Sequence, residues 1–304
     1  MQMNGTDAWR TTRRNEPRGY IQPQSLEELW FHTGTNCNLR CPFCFEGSKP
    51  GDRRIEFLTL EDARRFIDEA LELGVKKFSF TGGEPFVNPD FTAILEVALE
   101  HRPCLVLTNA TEPLMNRMAD VLRLRDKPHT LKFRVSLDHP DPTQHDAARG
   151  KGNFKKALDS LARLHRAGFG VSIARRMLPD EDSAAVDRSY MPFFHHAGLG
   201  DDITIIKFPD FHLPGSFPEV PEISETCMTR HLSAEQRAAF MCNFSKMIVR
   251  KKGQCGVYAC TLVDDVQGYE LGSTLKAAMD ERVMLAHHRC YSCFSCGASC
   301  SEKG

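Results

Sequence analysis

With 304 residues, 41% of them hydrophobic and 26% charged, the chain can bury a substantial core and has room for one large domain plus a smaller appendage. Its 39 basic side chains stand against 40 acidic ones, and no segment is loaded with Lys or Arg to track a phosphate backbone, which argues against nucleic acid as a partner. No run of about 18 apolar residues could span a bilayer, and the opening MQMNGTDAWRTTRRNEPRGY lacks the apolar core of a signal peptide, so the sequence reads as a cytoplasmic protein with no membrane partner.

Residues 1–25 are polar, Arg-rich and without periodicity, and read as a flexible tail. A repeating pattern then runs over residues 26–210. LWFHTGT (Leu29 to Thr35) reads as a strand; Thr59 with Asp62 forms a capping arrangement ahead of a helix that gathers Ala63, Phe66, Ile67, Ala70 and Leu71 on one face, and Gly74 ends it. FSFTGG (Phe78 to Gly83) is a second strand, followed by a helix with Ile94, Leu95, Ala98 and Leu99 inward; LVLTN (Leu105 to Asn109) is a third, followed by a helix from Leu114 to Leu122. LKFRVSLD, GVSIA (Gly170 to Ala174) and ITIIKF (Ile203 to Phe208) complete six strands, with a helix carrying Phe154, Ala157, Leu158, Leu161 and Leu164 between the fourth and fifth. Strands alternating with helices call for an α/β fold with a parallel sheet, and six such units predict a partial (β/α)6 TIM-type barrel. Residues 211–226 are dense in Pro and Gly and read as a linker. Residues 227–304 read as a small cysteine-rich C-terminal extension, with a helix from Ala234 to Lys246 and a β-like GVYACTLV.

Twelve cysteines are too many for a reducing compartment unless thiols bind metal. Cys104 stands alone in a strand and reads as a buried apolar thiol. Cys37, Cys41 and Cys44 follow directly on the first strand, so their loop lies at the carboxyl end of the sheet, where parallel barrels place their chemistry. Three thiolates on a four-iron cluster leave one iron open to a ligand, while three cysteines and a water also suit zinc. Thr81-Gly82-Gly83-Glu84-Pro85 ends the second strand at the same sheet edge; its glycines expose backbone to a ligand, or make a tight strand-to-helix turn.

Together the C-x3-C-x-aromatic-C loop and the GGEP motif closely resemble the radical S-adenosylmethionine superfamily, over roughly residues 28–208. The resemblance implies that Cys37, Cys41 and Cys44 hold a 4Fe-4S cluster that reductively cleaves S-adenosylmethionine to a 5'-deoxyadenosyl radical, which takes a hydrogen atom from substrate. It implies that Phe43 lies by the adenine and that Gly82, Gly83 and Glu84 cradle the methionine amine. It further implies that Asn109, Ser136, Asp138 and Arg149 approach the ribose or methionine end.

Eight cysteines lie between Cys227 and Cys300, and Cys290, Cys293, Cys296 and Cys300 have the C-x2-C-x2-C-x3-C spacing of ferredoxin runs. GVYAC and LGSTL resemble the SPASM and twitch extensions of the same superfamily, although the middle gap of the run is three residues shorter than theirs. That resemblance implies one or two auxiliary 4Fe-4S clusters, the inner one on Cys242, Cys255, Cys260 and Cys300 and the outer one on Cys290, Cys293 and Cys296 with Cys227. A structural zinc ribbon is the competing reading.

The expected partners are a reductant such as flavodoxin or ferredoxin and a peptide or small-molecule substrate. The expected outcome is a net oxidation with auxiliary clusters as electron acceptor; the alternatives are a redox-neutral epimerisation or rearrangement, or an iron–sulfur electron-transfer or scaffold protein. The 36 residues ahead of Cys37 are short for a leader-binding domain, which tilts the expectation toward a small molecule or leader recognition by a separate protein. Arg134, Arg175, Arg176, Lys207, Asp210 and His212, at the ends of later strands, are candidates for gripping a polar or anionic group.

Overall fold

The computed structural model describes residues 9–178, 180–264, 266–297 and 301. Six parallel strands form the barrel wall in chain order: β2 (Glu28–His32), β3 (Lys77–Thr81), β4 (Cys104–Thr108), β5 (Leu131–Ser136), β6 (Gly170–Arg176) and β7 (Thr204–Phe208). Their crossovers run over the outer face through α1 (Leu60–Glu72), α2 (Phe91–Leu99), the two short helices α3 (Glu112–Asn116) and α4 (Met118–Arg123), α5 (Pro142–Arg149) with α6 (Asn153–Arg166), and α7 (Ser183–Arg188) with α8 (Met191–His196).

Local chemistry sets these elements. Thr59 Oγ1 accepts the Asp62 N–H at 3.1 Å and starts α1, whose Ala63, Phe66, Ile67 and Ala70 are fully buried. Apart from the exposed Lys132, the residues of β2 to β5 are buried or half-buried, one set facing the helices and the other the barrel interior. Phe31, Phe80, Phe91, Phe86, Phe133 and Phe169 form a chain of ring contacts with centroids 4.9–6.5 Å apart, joining the strands to α2 and the loops. The helix expected from Leu114 to Leu122 is divided at Arg117, whose φ of −106° and ψ of 8° leave the helical region.

The partial barrel is wider than six strands. β8 (Ser245–Lys251) lies parallel to β2, with Glu28 opposite Ser245 and Phe31 opposite Ile248, and β9 (Gln254–Tyr258) returns antiparallel as the edge. The helix expected from Ala234 to Lys246 is therefore two short pieces, α10 (Ala234–Ala238) and α11 (Met241–Phe244), after which the chain turns into β8. The run Met247-Ile248-Val249 is buried on both faces, a demand that sheet pairing satisfies and an amphipathic helix does not.

The N-terminal segment also departs from expectation. Residues 9–25 are packed against the C-terminal segment instead of forming a mobile tail: β1 (Tyr20–Ile21) pairs antiparallel with β10 (Val283–Met284), Trp9 meets Tyr269 edge-on at 4.9 Å, and the buried Arg18 donates to Glu222 at 2.8 Å. Such contacts between residues more than 200 apart leave no local periodicity to read. Residues 1–8 lie outside the described residues. The remaining helices, α9 (Glu225–His231), α12 (Leu275–Asp280) and α13 (His288–Cys296), belong to the C-terminal part, which has a separate apolar cluster of Ile21, Ile223, Met228, Phe240, Cys242, Ala259, Val263, Tyr269, Val283 and Leu285. Among the described residues no helix is long and apolar enough to cross a membrane.

Candidate active site

One cavity opens at the carboxyl ends of the parallel strands. Its wall includes Cys37, Cys41, Phe43 and Cys44 from the loop after β2, Gly82 and Gly83 after β3, and Asn109 after β4. Ser136 and Asp138 enter from the end of β5, Arg149 from the last turn of α5, and Arg176 from the end of β6. The residues singled out by motif thus converge, with Glu84 buried directly behind them.

Each is held by identifiable contacts. Gly83 N–H donates to Gly34 O at 2.8 Å and Glu84 N–H to Asn36 O at 3.1 Å, so the GGEP turn is stitched to the segment that leads into Cys37. A side chain on Gly82, where φ is +150°, would meet Gly34 O at 2.7 Å, and one on Gly83 would meet Asn36 O at 2.5 Å. The glycines are therefore required by this backbone approach as well as by the cavity they line.

Glu84 does not point its carboxylate into the cavity as a free group. It accepts Asn109 N–H at 2.8 Å, Thr108 Oγ1–H at 2.8 Å and Phe86 N–H at 3.2 Å, tying β4 to the GGEP turn, while burial pushes its carboxyl up to about 7 against the pull of those donors. Asn109 in turn reaches Asn38 Oδ1 at 3.0 Å and Cys37 Sγ at 3.8 Å. Asp138 and Arg149 form an ion pair, with Nη2 to Oδ1 at 3.2 Å, and Arg176 lies 4.0 Å over the Phe43 ring. Burial lowers the Arg149 pKa, but the Asp138 carboxylate beside it raises it further, so the guanidinium stays protonated.

Of the polar candidates at later strand ends, Arg134, Arg175, Arg176 and Asp210 line the cavity. Arg175 is committed to Glu181 at 2.6 Å and Asp187 at 2.7 Å, and Lys207 pairs with Asp187 at 3.2 Å. His212 packs against His288, with ring centroids 5.9 Å apart. Sequence reasoning missed the buried set His32, Glu46 and Asp264, with His32 Nε2 3.0 Å from Glu46 and 3.9 Å from Asp264. Gly34 N–H donates to His32 Nδ1 at 3.2 Å, which leaves the ring proton on Nε2 and makes this an internal hydrogen-bonded pair, not an open set of metal ligands. It missed Arg289 too: buried at 2% exposure, its guanidinium donates to the carbonyls of Phe45, Phe211, His212 and Leu262, at 2.9–3.0 Å. A lone Arg before Cys290 carries no sequence signal for such a role.

The three thiols face one cavity beside the glycine turn, and three thiolates are the donor set that leaves one iron of a 4Fe-4S cluster open to a ligand. Burial pushes the Cys37 thiol up to about 12, with Glu84 adding to the shift, and the Cys41 and Cys44 thiols are raised as well, chiefly by burial; a cationic partner is what would draw the thiolates out.

Of the C-terminal cysteines, Cys227, Cys242, Cys260, Cys290 and Cys293 pack into one apolar cluster, and Cys296 is exposed at the end of α13. Cys255 does not join them. It belongs to the barrel core with Val257, on β9, and its nearest charged neighbours are Asp62, Arg250 and Arg65. Strand alternation places Cys255 and Val257 on one face, away from Cys260 beyond the strand end. Cys300 lies outside the described residues. Lys246 projects from β8 near the Cys242 and Cys260 sulfurs, where burial draws its pKa down to about 8.

The family described as the Radical SAM superfamily matches residues 31–188. Curated relatives include a GTP 3',8-cyclase of Tolumonas auensis, 32% identical over 139 residues, which are 44% of this chain and 39% of that one. Another, of Klebsiella pneumoniae, is 34% identical over 135 residues, 44% of this chain and 40% of that one. The chain thus covers about two fifths of the length of these relatives. In overall fold it is similar to Streptococcus suis SuiB bound to S-adenosylmethionine, with a TM-score of 0.59 at 14% identity over 82% of this chain and 63% of that one. It is also similar to anSMEcpe with bound AdoMet, with a TM-score of 0.59 at 15% identity over 88% and 82%. The match over residues 31–188 contains the cysteine loop, the GGEP turn and every cavity-lining strand end up to β6, and the chain belongs to the radical SAM superfamily of S-adenosylmethionine and 4Fe-4S enzymes.

Proposed function

We propose that the chain reductively cleaves S-adenosylmethionine and abstracts a hydrogen atom from a peptide or small-molecule substrate, with net oxidation as the outcome. The observation that carries this reading is the convergence of Cys37, Cys41 and Cys44 with Gly82, Gly83, Asn109, Ser136, Asp138 and Arg149 on one cavity. When bound, a 4Fe-4S cluster on the three cysteines supplies the electron that opens the sulfonium and yields the 5'-deoxyadenosyl radical. The chain's own residues do the rest. Phe43 offers its ring to the adenine, with the Arg176 guanidinium 4.0 Å and that of Arg149 5.8 Å from the ring centroid. Gly82 and Gly83 present backbone without side chains to the methionine end, Glu84 holds that turn against β4, and the Asp138–Arg149 pair and Ser136 supply polar contacts.

The convergence of Cys227, Cys242, Cys260, Cys290 and Cys293 in one apolar cluster supports one or two auxiliary clusters there, with Cys296 as the most exposed ligand. Cys255 is left out of that set. The GTP 3',8-cyclases match over the barrel portion, and the fold is also that of SuiB, a structure of which contains its precursor peptide; both a nucleotide-sized and a peptide substrate therefore stay within the reading.

The test is anaerobic incubation with dithionite and S-adenosylmethionine, with chromatography for 5'-deoxyadenosine; formation no greater than in Cys37→Ala removes the enzyme reading. Iron analysis separates the cluster counts: about four irons per chain leave the first cluster alone, and about eight or twelve add one or two auxiliary clusters.

A further inference from the structure

Lys246 is fully buried in β8, at 0% exposure. Its ammonium donates to the carbonyls of Cys242 and Ser245, each at 3.0 Å, and among the described residues it forms no salt bridge with a carboxylate. A buried cation held only by carbonyl dipoles is costly unless a negative group compensates it. The groups within its electrostatic reach are the Cys242 and Cys260 sulfurs, and Cys242 in turn lies within reach of Cys290. Lys246 is cut off from solvent, and Phe240, Ala259 and Val263 are buried in the same apolar cluster as Cys242, so little water screens the charge.

From this geometry we infer that Lys246 is the fixed positive charge that sets the reduction potential of an auxiliary iron–sulfur cluster held by Cys242, Cys260 and Cys290. The inference rests on the auxiliary-cluster reading above. Taking up one electron makes the cluster one unit more negative, and a buried ammonium beside it favours that reduced form, so the potential is higher than the same cysteines would give alone. The consequence is functional: an acceptor poised upward takes an electron from a substrate radical more readily. Lys246 is a tuning residue; it touches neither substrate nor S-adenosylmethionine in this arrangement.

The experiment uses the full chain, anaerobically reconstituted, in a Cys37→Ala, Cys41→Ala, Cys44→Ala background that removes the first cluster, with dithionite as reductant and electron paramagnetic resonance as the readout of a redox titration. Lys246→Met is expected to change the reduced-to-oxidised ratio at a fixed potential tenfold or more toward oxidised, equivalent to about 59 mV for one electron, and Lys246→Arg to restore it. Equal potentials in Lys246→Met and the parent, at equal iron content, overturn the inference while leaving the auxiliary cluster in place. A parent that retains no iron in this background overturns the auxiliary-cluster reading itself, and the inference with it. If Lys246→Met loses iron, Lys246→Gln and Lys246→Arg decide the case: iron retained only by the charged variant supports the inference, and iron lost by both overturns it.

Discussion

Replacing Gly83 with Ala probes the junction on which the site depends. The new methyl group would sit 2.5 Å from Asn36 O and 2.7 Å from Thr35 O, where ordinary contact begins at 3.4 Å, so one of the two backbones must move by about 0.9 Å. Both oxygens are backbone atoms of the segment entering Cys37, and the hydrogen bonds Gly83 N to Gly34 O and Glu84 N to Asn36 O lie in the same seam. Overpacking of this kind costs about 1–3 kcal/mol and each of the two disturbed hydrogen bonds about 1 kcal/mol, for a total of about 3–5 kcal/mol. At about 2 °C per kcal/mol for a chain of this size, the thermal midpoint falls by about 6–10 °C, and iron retention falls with it because the displaced segment carries Cys37. Calorimetry and iron analysis measure both. The control is Gly51→Ala, where φ is +77° but no atom lies within 4 Å of the added carbon; it incurs only the left-handed penalty of about 1 kcal/mol and keeps its iron. A Gly83→Ala protein with the midpoint and iron content of the parent refutes the packing argument.

Glu84 gives the fold a pH dependence. Its carboxyl is raised from 4.5 to about 7 by burial, so the stability it contributes is fully present below about pH 4.5 and is lost as pH rises through about 7, by about 3 kcal/mol in all. Glu84→Gln should flatten denaturant unfolding curves compared across pH 5 to 8, and an unchanged slope would count against the assignment. Arg289 holds four carbonyls from three separate segments, and Lys, with three donors and no planar fork, cannot reach them all. Arg289→Lys is expected to cost about 3 kcal/mol and to speed amide exchange around Phe45 and Phe211, as read by mass spectrometry; protection equal to the parent's would show that the clamp is redundant.

What was legible in the sequence is what neighbouring residues encode. The 3.6-residue spacing of Ala63, Phe66, Ile67 and Ala70, the cap at Thr59 and the alternation of strands with helices predict the barrel, and the short motifs at strand ends predict the cavity because a parallel sheet delivers every strand end to one rim. What was not legible depends on pairing across the chain. Ser245 to Lys251 carries a run that suits helix or strand equally, and only the vacant side of β2, more than 200 residues earlier, decides it. Tyr20 and Ile21 are likewise too few to read until Val283 and Met284 are opposite them. Cys255 shows the same limit at a site. The resemblance to the SPASM and twitch extensions implies it as a ligand with Cys260, whereas the pleat of β9 turns it toward α1 and Asp62.

The position of β8 has a consequence for how the protein is made. β2 is the first strand of the barrel to leave the ribosome, yet one of its two neighbours is β8, which follows only after the rest of the barrel has been synthesised. Until then one side of β2 is an open row of amide donors and acceptors, in a strand whose five residues are all buried in the finished protein. Such an edge invites pairing with another nascent chain, and closing it requires a contact of very long sequence separation, which makes it a slow step. The cysteine loop hangs directly from this strand, so the nest for the first cluster is complete only when the C-terminal hairpin has docked. A chain cut short before β8 is therefore expected to hold less iron at Cys37, Cys41 and Cys44 than the full chain, as iron analysis would measure.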